Sequence, residues 1–252
     1  MPFSFESRIQ VHTQRVKETI QQFEENEKND QFPKLRPSSA LVTIELVSDG
    51  KVTPFQVHKD FLCYYSPVFR SAFGSPFIEG LKQTYKLEDT TEDAVFLLIH
   101  WLYTQRLDLI QDMKLFREEF ACKDGPPKRM PVKDKEDRAL VALWALADRL
   151  LIPSLQNIIV DKIEQMPAIF NTMPLIYKSI YEQTYEGSAL RRLIVDLFCH
   201  EMPSSCWKAH ARHYPHEMLI DVATFYSTRY IAGQGKKHYG LRDMSQYHAK
   251  LG

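Results

Sequence analysis

Phe55-Gln56-Val57-His58-Lys59-Asp60-Phe61-Leu62-Cys63-Tyr64-Tyr65-Ser66-Pro67-Val68-Phe69-Arg70-Ser71-Ala72-Phe73 is the stretch on which the fold turns. Its pattern changes from strand to helix at His58-Lys59. From Asp60 onward Phe61, Leu62, Tyr65, Val68, Phe69 and Phe73 recur at helical spacing, and Ser66-Pro67 divides the run into two short helices. Pro67 supplies the fixed φ of a first helical turn ahead of the apolar Val68-Phe69. His58, at the junction, reads as a structural hydrogen-bonding residue and not as a catalyst. Ser66, Phe69 and Phe73 likewise serve folding.

Upstream, Val42, Ile44 and Leu46 alternate with Thr43, Glu45 and Val47, which predicts a strand. Ser48-Asp49-Gly50 signals a turn, and Pro54 to Val57 returns as the second strand of a hairpin. Downstream, Tyr85 to Leu87 reads as another short strand. Thr90 with Asp93 predicts a capping-box start for a helix whose apolar face is Val95, Leu98, Ile99 and Leu102. Residues 110–138 carry seven acidic and eight basic side chains with Gly125, Pro126, Pro127 and Pro131, the pattern of an insertion or loop. Helical spacing resumes at Leu140, Leu143, Trp144, Ala147, Leu150 and Leu151. Pro153 opens the next helix, with Leu155, Ile158, Ile159 and Ile163 on one side. Further helices are expected at about 173–184, 188–201, 204–212 and 216–230. Residues 1–36 form a polar leader, read either as a helix over about 6–28 or as a partly ordered tail.

Thr53 to Leu107 resembles the BTB/POZ domain. The likeness rests on Phe55 to Lys59, on Leu62, on Ser66 to Phe73, on Leu87-Glu88-Asp89, and on Phe96 to Thr104. Leu146 to Leu155 looks like that fold's final helix pair. Leu62-Cys63, Tyr64-Tyr65 and the long insertion are similar to the stand-alone BTB proteins of filamentous fungi. The resemblance implies an α+β fold, a short sheet flanked by a helical cluster, over residues 41–164 with the insertion at about 110–138. An all-α extension at 165–231 and a basic, disordered tail at 232–252 complete the expected division. It also implies a non-enzymatic module for protein–protein contact: self-association, recruitment of partners, and in some members binding to the cullin scaffold of a ubiquitin ligase. The cullin-facing surface of the family lies before the third strand. Here that region reads Phe77-Ile78-Glu79, so Phe77 and Glu79 are candidate partner contacts, with Tyr103 at the closing corner of the later helix.

Two departures bear on self-association. Many members open the first strand with an Asp that faces a basic residue after the His, in a pocket at a swapped dimer interface. Here Leu41 stands at the Asp position and Lys59 follows His58, so half of that pocket is missing. Gln105-Arg106 also follows Tyr103-Thr104 where the family commonly has a Gly.

Composition agrees with an interaction module. The chain has 252 residues, 44% hydrophobic and 25% charged, with Lys+Arg 32 against Asp+Glu 32. Such a chain can bury a sizeable core, and its zero formal charge argues against a nucleic-acid partner. Its nine glycines disfavour phosphate cradles; no Walker loop or nucleophile elbow is found, and Gly233-Gln234-Gly235 fits only the first half of a dinucleotide fingerprint and follows no strand pattern, so no cofactor is expected. Neither a small-molecule substrate nor a membrane span is indicated. Cys63, Cys122, Cys199 and Cys206 have no CxxC spacing and read as reduced thiols of a cytoplasmic or nuclear protein. Cys206, His210 and His213 are the weak candidates for a zinc site, with Cys199, His200 and His216 nearby. Their spacing matches no standard finger, and a helical hairpin with scattered histidines is the favoured reading. The basic tail could also serve a transcription-associated nuclear scaffold.

Overall fold

The computed structural model describes residues 33–36, 39–109, 131–165, 174–201, 207, 211, 214–231 and 243–251. The expected leader helix, Cys122, Cys206, His210 and His213 lie outside these residues, as does most of the helix expected at 204–212.

The architecture is α+β. Strands β1 (Leu41–Ser48) and β2 (Lys51–His58) form an antiparallel hairpin. Asp49 and Gly50 close it at φ 50° and 75°. Two consecutive residues with positive φ make the turn whose twist matches that of paired strands, which explains an Asp-Gly there. Strand β3 (Thr84–Leu87) runs parallel to β1 on its other side, giving the order β2-β1-β3. Val42, Ile44 and Leu46 all point into the core, opposite Val57, Phe55 and Thr53 respectively. The alternation fixes the register, because a slip by one residue would turn the whole apolar set outward. Pro54 is tolerated because β2 is an edge strand among the described residues.

Helices α1 (Lys59–Tyr65) and α2 (Pro67–Gly74) follow, split at Ser66 as expected. A five-residue helix α3 (Ile78–Lys82) precedes β3. Helix α4 (Glu92–Thr104) starts one residue later than the sequence suggests. Thr91, not Thr90, has the extended backbone of a cap, and its hydroxyl accepts a 3.2 Å bond from Ala94 N–H. The expected pairing of Thr90 with Asp93 is therefore replaced by a simple cap.

Helix α5 (Pro131–Arg149) corrects a larger expectation. Residues 131–138 were expected in the loop, yet they form its first two turns. Pro131 suits a first helical position, Asp134 complements the positive end of the dipole, and Lys135 reaches Asp93 of α4 at 2.8 Å. The charged stretch is thus partly a solvated helix face. Farther along, Leu140 to Trp144 are all buried, so α5 is the central helix, packed against α4, α6 (Pro153–Gln165) and α7 (Pro174–Gln183).

Helices α8 (Ala189–Glu201) and α9 (His216–Ile231) complete the helical half. One hydrophobic cluster runs from Val42 in the sheet to Tyr247 near the C-terminus without a break. The expectation of a disordered tail over 232–252 fails for 243–251. A 3-10 turn at Met244–Tyr247 packs on α6 and α8, with Met244 1% and Tyr247 4% exposed. The cause is apolar: two large side chains in a basic segment find a place in the core.

Candidate interaction surface

Two groups of residues define the region between the sheet and α3. The inner group is a brace. Tyr103 Oη accepts a 3.0 Å bond from the His58 backbone N–H and lies 2.8 Å from His58 Nδ1. One phenol oxygen thus engages both the backbone and the ring of His58. The Phe61 ring stacks obliquely on Tyr103 at 4.7 Å between centroids. His58, expected as a structural hydrogen-bonding residue, is tied to Tyr103 through both its backbone and its ring. Tyr103, expected as a partner contact, has its hydroxyl engaged by the same brace.

Ser66 is fully buried. Its Oγ accepts from Phe69 N–H at 3.2 Å and donates to the Leu150 carbonyl at 2.7 Å. That second bond pins α2 to the turn between α5 and α6. Phe69 and Phe73 are core residues, their rings stacked at 5.9 Å and both meeting Tyr85 of β3.

The outer group builds α3. Ser75 Oγ donates to the Ala72 carbonyl at 2.9 Å and accepts from Phe77 N–H at 3.3 Å, which turns the chain out of α2. Gly80 then lies flush on that turn: a Cβ at this position would stand 1.9 Å from the Ser75 carbonyl oxygen. Gln83 ends α3 in the left-handed region at φ 50°. Its Nε2 donates to the Gly80 and Phe73 carbonyls, and its Oε1 accepts from Lys59 Nζ at 2.9 Å. Lys59 Nζ also donates to the Phe73 carbonyl at 3.1 Å. The ammonium that would face a carboxylate in the family's dimer pocket is thus directed to a carbonyl and an amide. Leu41, across the hairpin from His58, is half exposed.

Held from below by Gln83 and Lys59, α3 turns apolar side chains to solvent. Phe77 is 71%, Ile78 58% and Leu81 77% exposed. The Leu81 N–H bonds to the Phe77 carbonyl, so the two side chains sit one helical turn apart. Exposed apolar residues scattered singly need no explanation; here three lie close together on a fastened helix as a small apolar patch. Glu79 sits in the first turn, favourably placed for the helix dipole. Beside Phe77 and Glu79, the partner contacts expected from the sequence, the structure places Leu81 and Gln83, and it gives Lys59, read from the sequence as half of a dimer pocket, bonds to the Phe73 carbonyl and Gln83. The spacing of Phe77 and Leu81 was the available signal for Leu81; no local pattern marks Gln83.

Burial, opposed by the Lys59 and Arg70 charges, pushes the Cys63 thiol above its ordinary range, so it stays protonated at neutral pH. No group of His, Cys, Asp and Glu among the described residues has metal-binding geometry. His200 Nδ1 lies 2.7 Å from the Asp196 carbonyl of its own helix. No helix among the described residues is long and apolar enough to cross a membrane.

Residues 32–118 match the family model of the BTB/POZ domain, a protein-interaction module, and the mixed sheet with its helices is that fold. The chain is also similar to Kelch-like protein 8 of Caenorhabditis elegans, at 30% identity over 78 residues. That match covers 31% of this chain and spans 11% of the length of the relative.

Proposed function

We propose that this chain is a non-enzymatic recruiter of protein partners, and that the Phe77-Ile78-Leu81 face of α3 is where a cullin-type ligase scaffold docks. The exposure of those three side chains on a helix locked by Gly80, Gln83 and Lys59 is the observation that carries the reading. The position of the face before β3, in a domain resembling those that bind cullins, supports the choice of partner. Recruitment is preferred to self-association through the swapped-strand pocket because Leu41 cannot supply a carboxylate and Lys59 is engaged elsewhere.

Calorimetry of the purified full chain against a cullin scaffold tests this. The wild type is expected to bind. Phe77→Ala and Leu81→Ala are each expected to weaken binding by about 30-fold, the loss of a central anchor worth ~2 kcal/mol. Val52→Ala, at an exposed position on β2, should leave affinity unchanged. Absence of binding by a folded wild-type chain would remove the ligase reading.

A further inference from the structure

The segment Asp243–Leu251 is held as a ligand is held. Apart from the four-residue turn Met244–Tyr247 it has no regular structure, and much of its polar bonding goes to side chains of α6 and α8. Asn157 of α6 donates from Nδ2 to the Ala249 carbonyl at 3.0 Å and accepts from the Ala249 N–H at 2.6 Å. One carboxamide thus satisfies both backbone groups of one residue, a contact that reads extended chain whatever its side chain. Arg192 Nη2 of α8 donates to the Gln246 carbonyl at 3.0 Å. One turn from Asn157 on α6, Asp161 Oδ1 lies 2.8 Å from His248 Nε2.

Backbone contacts position the segment, and three side chains give it identity. Met244 and Tyr247, at either end of the 3-10 turn, project to the same side and are buried in the core. His248 then meets Asp161. On the receptor side Arg192 also bonds the Gly187 carbonyl at 3.0 Å, and α6 and α8 pack directly on each other.

We propose that the α6–α8 face is a peptide-docking groove occupied by the chain's own C-terminal segment. It would accept from a partner protein an extended stretch with two apolar anchors, a methionine and an aromatic three residues on, followed by a histidine and a small residue. The groove lies apart from α3 in the sequence and does not depend on the cullin reading. The C-terminal segment is its built-in competitor, so a partner binds by displacing it.

Native-state hydrogen exchange on the wild-type full chain tests whether the segment detaches. Its amides are expected to exchange by a local opening, at least about 100-fold faster than the core amides of α8. Exchange of the two sets at one rate, through global unfolding, would overturn the proposal. The second arm uses a labelled synthetic peptide of residues 243–252. It is expected to bind the full-length Met244→Ala/Tyr247→Ala variant at least about tenfold more tightly than the wild type, whose groove is filled. Adding Asn157→Ala should reverse that gain. Equal binding to wild type and variant, or a variant that no longer folds, would show the segment to be ordinary core.

Discussion

At the scale of single residues, Ser66 does more than its position suggests. Its hydroxyl is fully buried between two backbone groups, Phe69 N–H and the Leu150 carbonyl, the latter 84 residues away in sequence. Ser66→Ala removes a helix cap worth ~1 kcal/mol and leaves a buried carbonyl unpaired at a cost of about 1–2 kcal/mol. A total loss of about 2–3 kcal/mol is therefore expected, read as a lower urea midpoint at unchanged slope. A shift below about 0.5 kcal/mol would mean that water replaces the hydroxyl. Pro67 made the helix start legible because proline acts through its own ring. The reason for the serine was not legible, since nothing near residue 66 announces Leu150. His58 is the intermediate case: its place at the end of a strand suggested a hydrogen-bonding role, but not Tyr103 as the partner.

At the scale of elements, α3 separates what sequence patterns reveal from what packing decides. A five-residue helix is too short to show amphipathic periodicity, so the sequence offered its apolar outer face only through Phe77-Ile78-Glu79 and the single spacing from Phe77 to Leu81. Pattern was sufficient for β1, where alternation alone fixed the inward set, and insufficient for α5, whose charged first turns resemble a loop. The glycine of α3 gives the sharpest test. In an ordinary helix interior Gly→Ala stabilises by roughly 1 kcal/mol. At Gly80 the new methyl would meet the Ser75 backbone, which cannot rotate aside as a side chain would, so the sign reverses. Gly80→Ala is expected to destabilise by about 1–3 kcal/mol, the usual cost of overpacking, and to lower the melting temperature. Lifting α3 also disturbs Gln83 and the orientation of Phe77 and Leu81, so scaffold binding should fall with it. A higher melting temperature would refute the close approach.

At the scale of the whole molecule, the sheet and the helical half share one core, and Arg191 shows how the far side is fastened to it. Its side chain is buried and lies over the Tyr181 ring at 4.4 Å. Nη2 donates to the Tyr181 carbonyl at 2.7 Å and to the Thr184 carbonyl, and Nε donates to Thr184 Oγ1 at 3.0 Å. These carbonyls end α7, where helical partners run out, so the guanidinium serves as its cap. Nη1 reaches Glu217 of α9 at 2.9 Å, but that carboxylate is 66% exposed and the pair contributes little. Tyr181 Oη donates to Asp221 at 2.6 Å, and burial, together with that bond, raises its pKa far above the ordinary range, so it remains a donor at any physiological pH. Composition could not disclose this arrangement, because Arg191 counts the same in a charge sum whether buried or solvated. Arg191→Met keeps most of the packing and strands the α7 carbonyls, at a cost of about 3 kcal/mol. If residues 41–164 and 165–231 were separate folding units, only the second would feel the change. The continuous cluster from Val42 to Tyr247 requires the opposite. Hydrogen exchange at the central amides of β1 and at those of α8 should accelerate together in the variant, with a single calorimetric transition moved to lower temperature. Two transitions, or acceleration confined to α7, α8 and α9, would divide the core that binds sheet to helices.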